Sequence, residues 1–273
     1  MRWLPWMMCL AVVTMGSVRG QERTRDAAIQ IDDGKKTSQR MLMPTSKLLG
    51  TTVKDVDGDN CGDINAFVFD INGQVHYVLI GLGGVAGVGE TEVAVPWSAF
   101  QCECTMENEK MTCHPKLRMS SKQLQTAPHL KAKGYLELTD TEWSKSNAAF
   151  FRTSPMPSPL AKTDMVVTSN VLDAKVMGAG KNSIGQLDEL MIQNGNGEIP
   201  FAVLGRGGVA GVGESYVAVA FPSLQFIVDD KEPKIQYRGK EGEIEKAIKV
   251  TPSEYPELRL GSVANQIKRG ESR

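Results

Sequence analysis

The chain has 273 residues, with 31 Lys and Arg against 32 Asp and Glu, a formal charge of -1. That balance argues against a nucleic-acid binder working through bulk positive charge, and 41% hydrophobic with 23% charged residues argues against a disordered chain or a polytopic membrane protein. Aromatic residues are only 6% while glycine numbers 27, which suits small β domains with tight turns, and the length accommodates about two of them.

Residues 1–20 read as a signal peptide. Met1-Arg2 is a short basic start, Leu4 to Val13 is almost wholly apolar, and Val18-Arg19-Gly20 puts small residues three and one positions before Gln21. Counted even from Trp3 to Val18, the apolar stretch falls short of the roughly 20 residues a spanning helix needs. No transmembrane helix is therefore expected once the signal is cleaved. Cys9 has no small residues just before it, which argues against a lipoprotein site. Loss of Arg2 and Arg19, with no acid in the segment, leaves a net charge of -3. The expected location is secreted or periplasmic, and residues 21–43 are polar and expected to be disordered.

A first β domain is expected over residues 44–125. Asp55-Val56-Asp57-Gly58-Asp59 invites a calcium reading, but an EF-hand loop needs Gly at its sixth position and Glu at its twelfth, where this chain has Asn60 and Ala66. A turn between strands is the favoured reading. Asp63 to Asp70 and Val75 to Leu82 flank Asn72-Gly73, a strong hairpin signal. That turn predicts Val68 opposite Tyr77, Ala66 opposite Leu79, Phe67 opposite Val78 and Phe69 opposite His76. Both faces are largely apolar, so both should be covered.

A glycine-rich loop follows, from Gly83 to Glu90. It leads into the alternating segment Val93 to Trp97 rather than a helix, and it has no Gly-Lys-Ser/Thr, so a phosphate loop is not expected. Phe100 to Met119 reads as a second hairpin. Export would leave Cys61, Cys102, Cys104 and Cys113, an even number for an oxidising compartment. An Asn108-Glu109 turn sets Cys104 opposite Cys113, whereas a turn at Glu107-Asn108 would set Cys102 opposite Cys113. A Cys104–Cys113 disulfide is favoured over a metal set of Cys102, Cys104, Cys113 and His114, whose spacing departs from the usual zinc pattern. The pairing of Cys61 and Cys102 stays open. Ser120 or Ser121 is expected to cap a short helix that buries Leu124.

Residues 126–165 read as a connector, with Ser154-Pro155-Met156-Pro157-Ser158-Pro159 a stiff linker. A second β domain is expected over 166–250, and 251–273 as a charged tail. In that domain Leu187, Met191, Phe201 and Val203 are predicted on one face, and Leu190, Ile192, Ala202 and Leu204 on the other. Pro200 belongs at a strand start or edge, and Gln225 to Tyr237 reads as a hairpin turning near Asp229-Asp230-Lys231.

The two domains read as copies. Gly83-Gly84-Val85-Ala86-Gly87-Val88-Gly89-Glu90 recurs letter for letter as Gly207-Gly208-Val209-Ala210-Gly211-Val212-Gly213-Glu214. Val93-Ala94-Val95-Pro96-Trp97 aligns with Val217-Ala218-Val219-Ala220-Phe221, and Asn72-Gly73 with Asn196-Gly197. The duplicated loops, represented by Gly83, Gly84, Val85, Val88, Glu90, Gly207, Gly208, Val209, Val212 and Glu214, are the interaction candidates. A pseudo-twofold axis relating them, with the halves packed as an internal pseudo-dimer, is the accompanying hypothesis.

Leu48-Leu49-Gly50, Asp57-Gly58, Gly62-Asp63-Ile64, Gly89-Glu90 and Val95-Pro96-Trp97-Ser98 occur in an order that resembles the PRC-barrel family. That family is named for the photosynthetic reaction-centre H subunit and also occurs in a ribosome maturation factor. The second copy departs from the pattern, with Asp173 at the Gly50 position and Ala220-Phe221 for Pro96-Trp97. The resemblance implies a mainly β fold of two small barrels in tandem, with few short helices, serving as assembly modules. It brings no shared catalytic residues. The expected function is a non-enzymatic scaffold that binds a protein partner, with no resident cofactor or metal. The alternative is a small-ligand or metal-binding module using the cleft between the barrels or the cysteine hairpin.

Overall fold

The structure is a computed structural model that describes residues 41–83, 91–107, 110–131, 135–180, 182–207, 215–228 and 233–251. The expected signal peptide, most of the N-terminal segment, the tail beyond Thr251, and the expected turns at Asn108-Glu109 and Asp229-Asp230-Lys231 lie outside the described residues. So do loop residues 84–90 and 208–214.

The fold is mainly β, as expected, with two eight-stranded sheets. The first sheet draws on β2 (Thr52–Lys54), β3 (Asn60–Asp70), β4 (Val75–Leu82), β5 (Thr91–Pro96), β6 (Phe100–Glu107), β7 (Lys110–Leu117) and β8 (His129–Leu130). Their order is β6-β7-β2-β3-β4-β5-β8. The second draws on β10 (Lys175–Met177), β11 (Ser183–Gln193), β12 (Phe201–Arg206), β13 (Ser215–Ala220), β14 (Leu224–Ile227), β15 (Lys234–Tyr237) and β16 (Ile248–Val250). Its order, β14-β15-β10-β11-β12-β13-β16, repeats the first strand for strand.

The eighth strand of each sheet comes from the other half. β1 (Leu42–Pro44) pairs antiparallel with β11, Leu42 opposite Gln193 and Pro44 opposite Met191. β9 (Met165–Val167) pairs with β3, Val68 opposite Val167 and Asp70 opposite Met165. The reason lies in strand length. β3 has 11 residues, and the three-residue β2 covers only its first part. The rest of that edge would expose unpaired backbone groups. Between β2 and β9 the Phe67 N–H donates to Thr168 Oγ1 at 3.0 Å. Leu42 and Met43, expected in the disordered segment, are thus buried strand residues.

Hairpin registers agree with the Asn-Gly prediction at Val68–Tyr77, Phe67–Val78 and Ala66–Leu79. Phe69 instead faces Val75, not His76, because the ladder shifts between Val68 and Phe69. A similar irregularity between Leu187 and Glu189 corrects the second copy. Leu187 joins the core face with Leu190, Ile192, Ala202 and Leu204, leaving Met191, Phe201 and Val203 opposite. An extra residue reverses side-chain parity, and composition does not reveal where it falls.

One apolar core runs through both halves, joining Val53, Phe67, Val78 and Val95 to Val176, Leu190, Leu204 and Val219. A second cluster lies on the outer face of the first sheet, where Ala66, Val68, Tyr77 and Leu79 meet Leu138, Leu160 and Met165. The connector supplies much of that cover. Three four-residue α-helices among the described residues are α1 (Ser121–Leu124), α3 (Thr168–Val171) and α4 (Glu241–Ile244). The longer α2 (Thr141–Phe150), within the connector, was not anticipated. Asp140 caps it by accepting the Trp143 N–H at 2.7 Å. Trp143 meets Tyr77 edge-on, with ring centroids 6.1 Å apart, and Asn147 Nδ2 donates to Ala94 O at 2.9 Å. Ser120 forms the predicted cap of α1 as a reciprocal capping box with Gln123, and Leu124 is buried.

Candidate functional site

The two Asn-Gly hairpin tips meet each other. Gln74 forms an antiparallel bridge with Glu198. Val75 N–H donates to Gly197 O at 2.9 Å, and Ile199 N–H donates to Gly73 O at 2.7 Å. A Cβ on Gly73 would stand 2.8 Å from the Phe221 ring, and one on Gly197 would stand 2.8 Å from the Trp97 ring. Each glycine therefore lets its hairpin lie on the aromatic residue of the other half, at a positive φ of +88° for Gly73 and +72° for Gly197. Trp97 is a partly buried residue packed against the core. Its ring meets Phe67 and Phe100, and it also seats the opposite tip.

Beside these tips lie two matching clefts. One, about 220 Å³, is bordered by His76, Trp97, Ser98 and Asn147 of the first half and connector, with Asn196 of the second. The other, about 240 Å³, is bordered by Phe221, Pro222 and Arg238, with Ile71 and Asn72 of the first half. His76 Nε2 lies 3.0 Å from Asp70 Oδ2. Asn147 is fully buried, and its Oδ1 has no hydrogen-bond partner among the described residues.

Of the duplicated loops, only Gly83 and Gly207 are described. Both have positive φ, +71° and +70°, with open space where a Cβ would stand. Gly84, Val85, Val88, Glu90, Gly208, Val209, Val212 and Glu214 lie outside the described residues. The strands flanking each loop are paired to its base, Leu82 with Thr91 and Arg206 with Ser215.

The cysteine hairpin adopts the Asn108-Glu109 register, with Cys104 opposite Cys113, and these two form a disulfide. Cys102 and Cys61 are free and buried. Cys102 lies on the same face as Cys104, their sulfurs 3.6 Å apart. Burial pushes the Cys102 thiol up to about 12, and burial with the nearby Asp55 and Asp59 carboxylates pushes Cys61 up to about 11. His114 is exposed, so the four-ligand metal set is not assembled.

The acidic turn is occupied by backbone. Asp55 Oδ1 accepts the Asp57 and Asp59 N–H groups at 2.8 Å each, and Oδ2 accepts the Ser121 N–H at 2.9 Å. These bonds, led by Ser121, hold the Asp55 carboxyl below its usual range. Asp55 thereby ties the β2–β3 turn to the start of α1. Sequence reasoning missed Glu189, which is almost wholly buried. Its carboxylate accepts from Thr45 Oγ1, and from the Ser46 and Leu190 N–H groups at 3.2 Å and 3.1 Å. Burial raises its pKa despite these bonds.

Residues 42–112 match the family model of the PRC-barrel domain, in agreement with the resemblance carried by the motifs of the first half. No curated protein matches the chain.

Proposed function

We propose that the chain is an exported, non-enzymatic scaffold protein whose two PRC-barrel-like halves form one internal pseudo-dimer and bind a protein partner in the cell envelope. The observation that carries this reading is the family match over residues 42–112, repeated in the second half by the same strand order. Export rests on the layout of residues 1–20. The non-enzymatic reading is supported by the histidines, because His76, His114 and His129 all lie before residue 130 and have no counterpart in the second half.

Magnitudes favour a macromolecular partner over a small ligand. The clefts of about 220 and 240 Å³ are smaller than the roughly 300 Å³ at which ligand pockets begin. Among the described residues, the large apolar side chains that reach solvent are Val56, Ile71, Leu136 and Ile227. The duplicated loops, each closing a paired strand end, are the proposed contact. A photoreactive residue placed at Val88 or Val212 in native cells should capture the same protein from both positions, with no capture from the exposed Lys175. Recovery of self-adducts alone, or equal capture from Lys175, would contradict the reading.

A further inference from the structure

The Cys104–Cys113 disulfide accounts for two of three neighbouring sulfurs. Cys102 and Cys104 are two residues apart on β6, so the strand period places them on one face, and Cys113 stands across the ladder from Cys104. The three sulfurs lie within 4.8 Å of one another. All three residues are buried in the core that also contains Phe100, Met111 and Leu117. A structural cross-link needs no third sulfur there.

We infer that Cys102, Cys104 and Cys113 of the reduced hairpin form an all-sulfur binding site for a soft monovalent metal ion of the Cu(I) class. The donor set decides the metal. Thiolates select soft ions, whereas structural zinc takes four ligands in a tetrahedron. Alternation along the hairpin turns the harder donors outward, with Glu103 and His114 both exposed and Glu103 paired with Lys116 at 2.8 Å. Metal–sulfur bonds of about 2.3 Å place the sulfurs of a trigonal site about 4 Å apart. The Cys102–Cys104 separation of 3.6 Å is already close to that. Cys104 and Cys113 reach it by small side-chain rotations once their bond is broken.

The chemistry balances with an external dithiol as reductant. It gives two electrons and two protons to the Cys104–Cys113 bond, producing two thiols, and is itself oxidised to a disulfide. Metal–sulfur bond formation then releases two thiol protons to solvent. A proton kept on the third sulfur limits the buried site to a single net negative charge. The disulfide and the metal site are thus alternative states of one hairpin.

The test is an anaerobic titration of the full chain, reduced with a phosphine, with Cu(I) in competition with a chromogenic chelator. One Cu(I) per chain should be retained, and X-ray absorption should show a three-sulfur shell. Cys102→Ser keeps the Cys104–Cys113 pair, so its oxidised form should remain folded by circular dichroism, yet its affinity for Cu(I) should fall by about tenfold or more. Cys61→Ser should bind as the native chain does. Native affinity in Cys102→Ser, loss of binding in Cys61→Ser, or a shell containing nitrogen or oxygen would overturn the assignment.

Discussion

At Glu189 the second half carries a buried carboxyl where the first half has Ala66, Glu189 standing opposite Val203 of β12 and Ala66 opposite Leu79 of β4. Its partners Thr45 and Ser46 follow the exchanged strand β1, so the carboxyl helps seat that segment on β11. Because burial raises the folded pKa, the carboxyl favours folding only while it is protonated in both states. Its stabilising contribution is present below the ordinary glutamate pKa of 4.5 and is lost as pH rises through the folded value. Glu189→Gln removes this dependence. Urea midpoints should show the variant gaining on the native chain between pH 4 and pH 7.5, and parallel pH profiles would refute the role. The glycines give a contrast in sterics. Gly73→Ala must push a Cβ into the Phe221 ring and should cost about 2 kcal/mol or more. Gly50→Ala, at φ +73° with open space around it, should cost about 1 kcal/mol. Asp173 shows that this conformation accommodates a side chain, at φ +65°. Thermal unfolding of the pair checks the ranking.

The exchanged strands are the elements on which both sheets depend. Thr168 Oγ1 takes the Phe67 N–H that neither β2 nor β9 reaches. Thr168→Val is close to isosteric but leaves that buried N–H without an acceptor, so it should destabilise by about 1–3 kcal/mol. Hydrogen exchange should speed up at the Phe67 amide in particular, and unchanged exchange there would contradict the assignment. The long strands, the Asn-Gly turn, the α1 cap and the Cys104–Cys113 register were legible because each rests on local chemistry a few residues wide. The exchanged strands were not legible. Each is three residues long, too short for periodicity, and its partner lies more than 90 residues away. The bulges hid the true face of Leu187 for a related reason, since one inserted residue reverses every later parity assignment. Glu189 went unnoticed because an acid in a strand is normally assigned to the solvent face. α2 did carry a signal, an Asp140 cap before Thr141–Phe150, that the connector reading passed over.

Among the described residues, backbone pairing joins the two sheets at three places: β1 on β11, β9 on β3, and hairpin tip on hairpin tip. A single core cluster then runs through both. Such halves should neither unfold separately nor part when the covalent link between them is cut, because each would abandon a strand of its neighbour and expose core. Ser154–Pro159 is the place to cut, since it is irregular and its Ser154, Pro155, Pro157 and Ser158 are exposed. The most direct measurement introduces a protease site between Pro157 and Ser158, cleaves the folded protein, and follows its mass by light scattering during gel filtration. The interlocked architecture predicts that both fragments co-elute at the mass of the intact chain and separate only in denaturant, in one cooperative transition. Two independently folded fragments, eluting apart under native conditions, would contradict it.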